Sequence, residues 1–117
     1  MPTIYIYRDC DKCRKALRWL EEMGLDYEIK AIRETPPTAA ELKAALRCYN
    51  GELRRLFNTS GNDYRELGLK HQLPTMTEDE AISLLAANGN LVKRPFLIDG
   101  EIILTGFKSE VWENHLA

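Results

Sequence analysis

The residue pattern predicts a small α/β domain with a helical middle. Three observations point there. A β-branched, aromatic run opens the chain at Thr3 to Tyr7, a Cys10-Asp11-Lys12-Cys13 motif heads an amphipathic helix directly after it, and two apolar runs flank Asp99-Gly100 near the C-terminus.

The first run is short enough to be a strand covered on both faces. After the thiol motif, Cys13, Ala16, Leu17, Leu20 and Met23 recur at helical spacing until Gly24 supplies a stop. Tyr27, Ile29 and Ala31 alternate with polar neighbours, which gives a second strand, and the intervening helix makes it a parallel neighbour of the first. A βαβ unit with CxxC at its helix start points to the thioredoxin class.

Thr38-Ala39-Ala40-Glu41 has the form of a capping box ahead of a helix carrying Leu42, Ala45, Leu46 and Tyr49. Cys48 is expected on that helix as a small buried thiol. Leu53, Leu56 and Phe57 suggest a further short helix, and Asn58 to Asn62 reads as a polar turn. Thr77 to Glu80 caps another helix, with Ala81, Ile82, Leu84 and Leu85 on its face. Phe96 to Ile98 and Ile102 to Leu104 form a hairpin across Asp99-Gly100, and Ser109 through Trp112 begins a closing helix. The expected fold is therefore thioredoxin-like, βαβ then ββα, with an all-helical insertion over about 36–90.

With 117 residues, 44% of them hydrophobic, and no repeat or linker-like tract, one domain over 1–117 accounts for the chain, and a monomer is expected. A formal charge of −2 offers no field for holding phosphates, so direct nucleic acid binding is not expected. No leader or membrane-spanning pattern precedes Ile4, and three cysteines, two of them close together, differ from the paired framework of small secreted domains. Cytoplasmic placement without membrane contact is the expectation.

Two cysteines three apart on a first helical turn face the same side, the first near the positive end of the helix dipole. Cys10 is thus placed to be an exposed thiolate, favoured by Arg8, Lys12, Arg14 and Lys15 and opposed by Asp9 and Asp11. After Cys10 attacks a disulfide or an oxidant, Cys13 is within reach to resolve the intermediate. The bland alternatives are a structural metal site and an inert pair. Zinc needs four ligands, and the remaining candidates, Cys48, His71 and His115, are scattered without ligand spacing, so no metal is assigned. Arg94-Pro95 enters the hairpin, where a proline is either a plain strand start or a cis bond opposite the thiol loop, and the sequence leaves both open.

The ordered segments CDKCRKALRWLEEMGLDYE, LFNTSGNDYRELGLK, LVKRPFLIDG and LTGFKSEVWE resemble the arsenate-reductase-like family that includes the Spx and MgsR regulators, over nearly the whole chain. The resemblance implies a thioredoxin-like core with a helical insertion, an active cysteine at Cys10, and an arginine before a cis-proline at Arg94 and Pro95. Arg94 is then an anion or thiolate partner. Arsenate reductases of this family use an arginine trio on the oxyanion. Here Arg94 matches, while the other two positions fall on Asn58 and Phe107, and Cys13 stands where those enzymes lack a thiol. The resemblance therefore implies dithiol chemistry with arsenate a minor or absent substrate. It also implies no bound cofactor, with glutathione, glutaredoxin or thioredoxin as the electron donor. In the regulators the domain binds the C-terminal domain of the RNA polymerase α subunit, which makes that subunit the alternative partner.

Overall fold

A computed structural model describes residues 1–116. In chain order the elements are β1 (Thr3–Ile6), α1 (Asp11–Glu22), β2 (Glu28–Ala31), α2 (Ala39–Cys48), α3 (Asn62–Glu66), α4 (Leu69–Gln72), α5 (Glu78–Ala87), β3 (Phe96–Asp99), β4 (Ile102–Thr105) and α6 (Ser109–Leu116). Single 3₁₀ turns lie at Leu53–Leu56, Leu73–Thr75 and Gly89–Leu91. The chain divides into two compact units, one made of Met1–Ala31 with the segment from Arg94 onward, the other of Ile32–Lys93.

The first unit holds a four-stranded sheet in the order β2-β1-β3-β4. β1 and β2 are parallel, as the helix between them requires, whereas β3 is antiparallel to both β1 and β4. Ile4 pairs with Leu97 and Leu97 with Leu104, so three aliphatic side chains form one row across the sheet. That row packs against Ala16 and Leu20 of α1 and Trp112 of α6, which puts both helices on the same sheet face. Burying this set contributes about 2 kcal/mol for each large side chain. Trp112 is anchored further by its indole N–H, which donates to the Gly106 carbonyl at 3.2 Å. On the opposite row Tyr5 and Phe96 meet edge to face at 5.8 Å.

The β3–β4 turn is two residues long, Gly100 and Glu101, because Asp99 pairs with Ile102. Gly100 has φ +61°, a region open to glycine at little cost, which is why the Asp-Gly signal marks this position.

The second unit is helical. Both capping boxes form, Thr38 with Glu41 and Thr77 with Glu80, each side chain accepting from the third backbone N–H of its helix. Phe57 and Val92 make an isolated antiparallel bridge, and Gly89 lies against the Ile32 backbone so closely that a Cβ there would sit 1.7 Å from the Ile32 carbonyl oxygen.

Several expectations need correction. Cys48 is exposed, not buried. The buried face of α2 is Leu42, Ala45 and Leu46, and at 100° per residue Cys48 lies roughly 110° around from its centre. Ile29 is 49% exposed because β2 is an edge strand with only one neighbour. Met23 is likewise exposed at the end of α1. Asn62, read as the end of a polar turn, instead opens α3, and His71 lies within the short helix α4.

Candidate functional site

The site is built where β1 ends and α1 begins. Tyr7 leaves the strand, Arg8 and Asp9 turn the chain, and Cys10 occupies the N-cap of α1 in an extended conformation. A sulfur at an N-cap can do what a capping oxygen does, and the Cys10 Sγ accepts from the Cys13 N–H at 3.4 Å. Cys10 is half-buried while Cys13, one turn further in, is 1% exposed.

The two thiols are tuned in opposite directions. Burial pushes Cys10 up, but the hydrogen bonds from the Cys13 thiol and N–H, together with the charge and hydrogen bonding of the Arg94 guanidinium, outweigh it and hold Cys10 below an ordinary thiol. Cys13 is pushed up to about 12, first by burial and further by the hydrogen bond and charge of Cys10, against a backbone hydrogen bond from Tyr7. A thiol tuned toward ionisation and a proton-holding partner thus sit one helical turn apart.

Arg94 acts on Cys10 from the start of β3, and its peptide bond to Pro95 is cis. Its guanidinium lies over the Tyr7 ring, 4.9 Å from the centroid. The cations beside the motif in sequence play a smaller part than expected. Arg14 is committed to the Asp11 carboxylate and to the Arg8 carbonyl at 3.0 Å, with Cys10 the weakest influence on it, and Arg8 points to Asp9 at 4.0 Å. The Arg14–Asp11–Arg8 link instead ties the thiol loop to the first turn of α1. The Tyr7 hydroxyl donates to the Asp9 carboxylate at 3.1 Å.

Cys10, Cys13 and Arg94 are therefore brought together with Pro95 next to them, whereas Cys48 and His71 belong to the other unit and His115 caps back onto the Val111 carbonyl of its own helix. Among the described residues no group of three or more His, Cys, Asp and Glu side chains is placed to hold a metal ion. No helix among them is long and apolar enough to cross a membrane. Sequence reasoning missed Tyr7 as a site residue. Its signal was its place at the strand end next to the motif, but the partner on its ring comes from the far end of the chain.

Comparisons with known proteins agree on one family. The sequence model of the ArsC family matches residues 5–115. The chain is 47% identical to the uncharacterized protein YusI of Bacillus subtilis over 115 residues, 98% of each chain, and 28% identical to the regulatory protein MgsR of Bacillus subtilis over 105 residues, 90% of this chain and 82% of MgsR. Its fold superimposes on the crystal structure of an ArsC family related protein from Bacteroides fragilis with a TM-score of 0.90 and 44% identity, covering 97% of this chain and 95% of the other.

Proposed function

Because the chain belongs to the ArsC family, we propose that it is a thiol-disulfide redox protein whose working pair is Cys10 and Cys13, with Arg94 stabilising the thiolate. The observation that carries this reading is the opposed tuning of the two thiols. Cys10 is lowered and reachable, while Cys13 is buried and raised to about 12.

The chemistry follows from that split. The Cys10 thiolate attacks one sulfur of a substrate disulfide, the S–S bond breaks, and the distal sulfur leaves as a thiolate that takes a proton from water. Cys10 is now a mixed disulfide and carries no charge. Since the Cys10 thiolate is one of the influences that keep the proton on Cys13, its loss frees part of that hold. Cys13 gives its proton to water, attacks the Cys10 Sγ, and expels the second substrate sulfur as a thiolate. The substrate gains two electrons and the protein loses two. A thiol donor of the glutathione, glutaredoxin or thioredoxin class restores the dithiol by the reverse exchange. With asparagine and phenylalanine at two positions of the oxyanion-binding arginine trio, Asn58 and Phe107, arsenate is a minor or absent substrate.

A second reading draws support from the similarity to MgsR, a regulatory protein. In it, oxidation of the same pair changes affinity for the C-terminal domain of the RNA polymerase α subunit, and catalysis is incidental.

One assay tests both. The purified protein is coupled to NADPH, glutathione reductase, glutathione and glutaredoxin, with hydroxyethyl disulfide and arsenate offered in parallel. Disulfide turnover that Cys10→Ser abolishes, with little arsenate turnover, is the expected result. Absence of turnover from a pair that still oxidises favours the regulator, and a pair that never oxidises overturns both readings.

A further inference from the structure

One residue contacts both thiol-bearing residues and the Arg94 guanidinium yet carries no reacting atom. The Tyr7 carbonyl accepts the Cys10 N–H at 3.1 Å, and its N–H reaches the Cys13 sulfur. Its ring carries the Arg94 guanidinium on one face, 4.9 Å from the centroid, and its hydroxyl is hydrogen-bonded to Asp9 at 3.1 Å. We propose that Tyr7 is a positioning residue whose ring face fixes the Arg94 guanidinium against Cys10. The inference deepens the redox reading and rests on it.

An arginine side chain has several rotatable bonds and, half-exposed as Arg94 is, would spread its charge over many positions. A guanidinium is weakly hydrated on its faces and carries its N–H donors in its plane. Stacking one face on an aromatic ring therefore restrains the group while leaving the edge donors free for a thiolate beside the ring. Cys10 is held to Tyr7 by the backbone hydrogen bond, so ring and sulfur form one rigid frame around the cation. Asp9, the acid at the Tyr7 hydroxyl, also has the Arg8 guanidinium at 4.0 Å, a partner that survives removal of the hydroxyl. Because the backbone contacts of Tyr7 survive replacement by leucine, methionine or phenylalanine, the ring's contribution can be separated from that of the strand end.

The test is the pH profile of Cys10 alkylation in the full chain. A Cys48→Ser background removes the exposed third thiol, and mass mapping assigns the label. Tyr7→Leu is expected to move the profile's midpoint upward and slow alkylation at neutral pH roughly threefold, while Tyr7→Phe keeps the parent profile. In an Arg94→Ala background Tyr7→Leu is expected to change nothing further, since no cation remains to position. Tyr7→Met takes the place of the leucine variant if the latter fails to fold. An unmoved midpoint in Tyr7→Leu, or an equal shift with and without Arg94, overturns the assignment. Disulfide formation followed in the same samples separates the two levels. Normal oxidation with an unmoved midpoint removes only Tyr7, whereas no oxidation in any variant removes the redox reading itself.

Discussion

Cys13 offers the sharpest quantitative prediction. Its thiol is raised to about 12, against an ordinary value of 9.0, so at neutral pH it carries roughly a thousandth of the thiolate of an unperturbed cysteine. At 1% exposure it is also closed to reagents. The perturbation is a pulse of iodoacetamide at pH 7 on the reduced, folded protein, quenched at intervals and mapped by mass spectrometry. Cys10 is expected to label first and the exposed Cys48 next, with Cys13 at least a thousandfold slower than an unperturbed thiol. Urea should abolish the difference. If Cys13 labels within tenfold of Cys48 in the folded protein, the burial and hydrogen bonding assigned to it here are wrong.

Further predictions follow from the same structure. Gly89→Ala forces a Cβ to within 1.7 Å of the Ile32 carbonyl, so the backbone must shift, and urea melts are expected to show a loss of about 3 kcal/mol or more; an effect below 1 kcal/mol refutes the close approach. Thr77→Ala removes the N-cap of α5 and is expected to cost about 1 kcal/mol, read as a lower urea midpoint with unchanged slope. For pH, Cys10 is lowered in the fold, so its ionisation adds stability above the unfolded thiol value, and this gain is lost as pH falls through the folded value. Cys13 is raised, so its contribution is full below the unfolded thiol value and is lost as pH climbs toward about 12. Reduced Cys13→Ala is accordingly expected to lose less stability than the parent between pH 8 and 10, and parallel curves would contradict this.

Much of this architecture is legible in the sequence because its signals are local. The two capping boxes are read from four residues each, the hairpin from Asp99-Gly100 between apolar runs, and α1 from one apolar stripe ending at Gly24. Other features are not local. Period-two alternation in β2 says that Ile29 and Ala31 share a face but not that the strand lies at the sheet edge. Cys48 stands next in sequence to Tyr49 yet off the buried stripe, which angular position decides and adjacency does not. Helices α3 and α4, of five and four residues, are too short for a periodic pattern to register and owe their form to their surroundings. At the site, the motif announces Cys10 and Cys13, but the charge that matters comes from Arg94 and not from the four cations beside the motif. Only the antiparallel pairing of β1 with β3 carries Arg94 to Tyr7.

The central claim is tested most directly by equilibrating the protein across glutathione redox buffers, quenching with acid and mapping the disulfides by mass spectrometry. A single two-electron transition to a Cys10–Cys13 disulfide is expected, with Cys48 a free thiol throughout and the transition lost in Cys10→Ser. A pair that stays reduced in the most oxidising buffer, or a disulfide that joins Cys48 to either member, would contradict it.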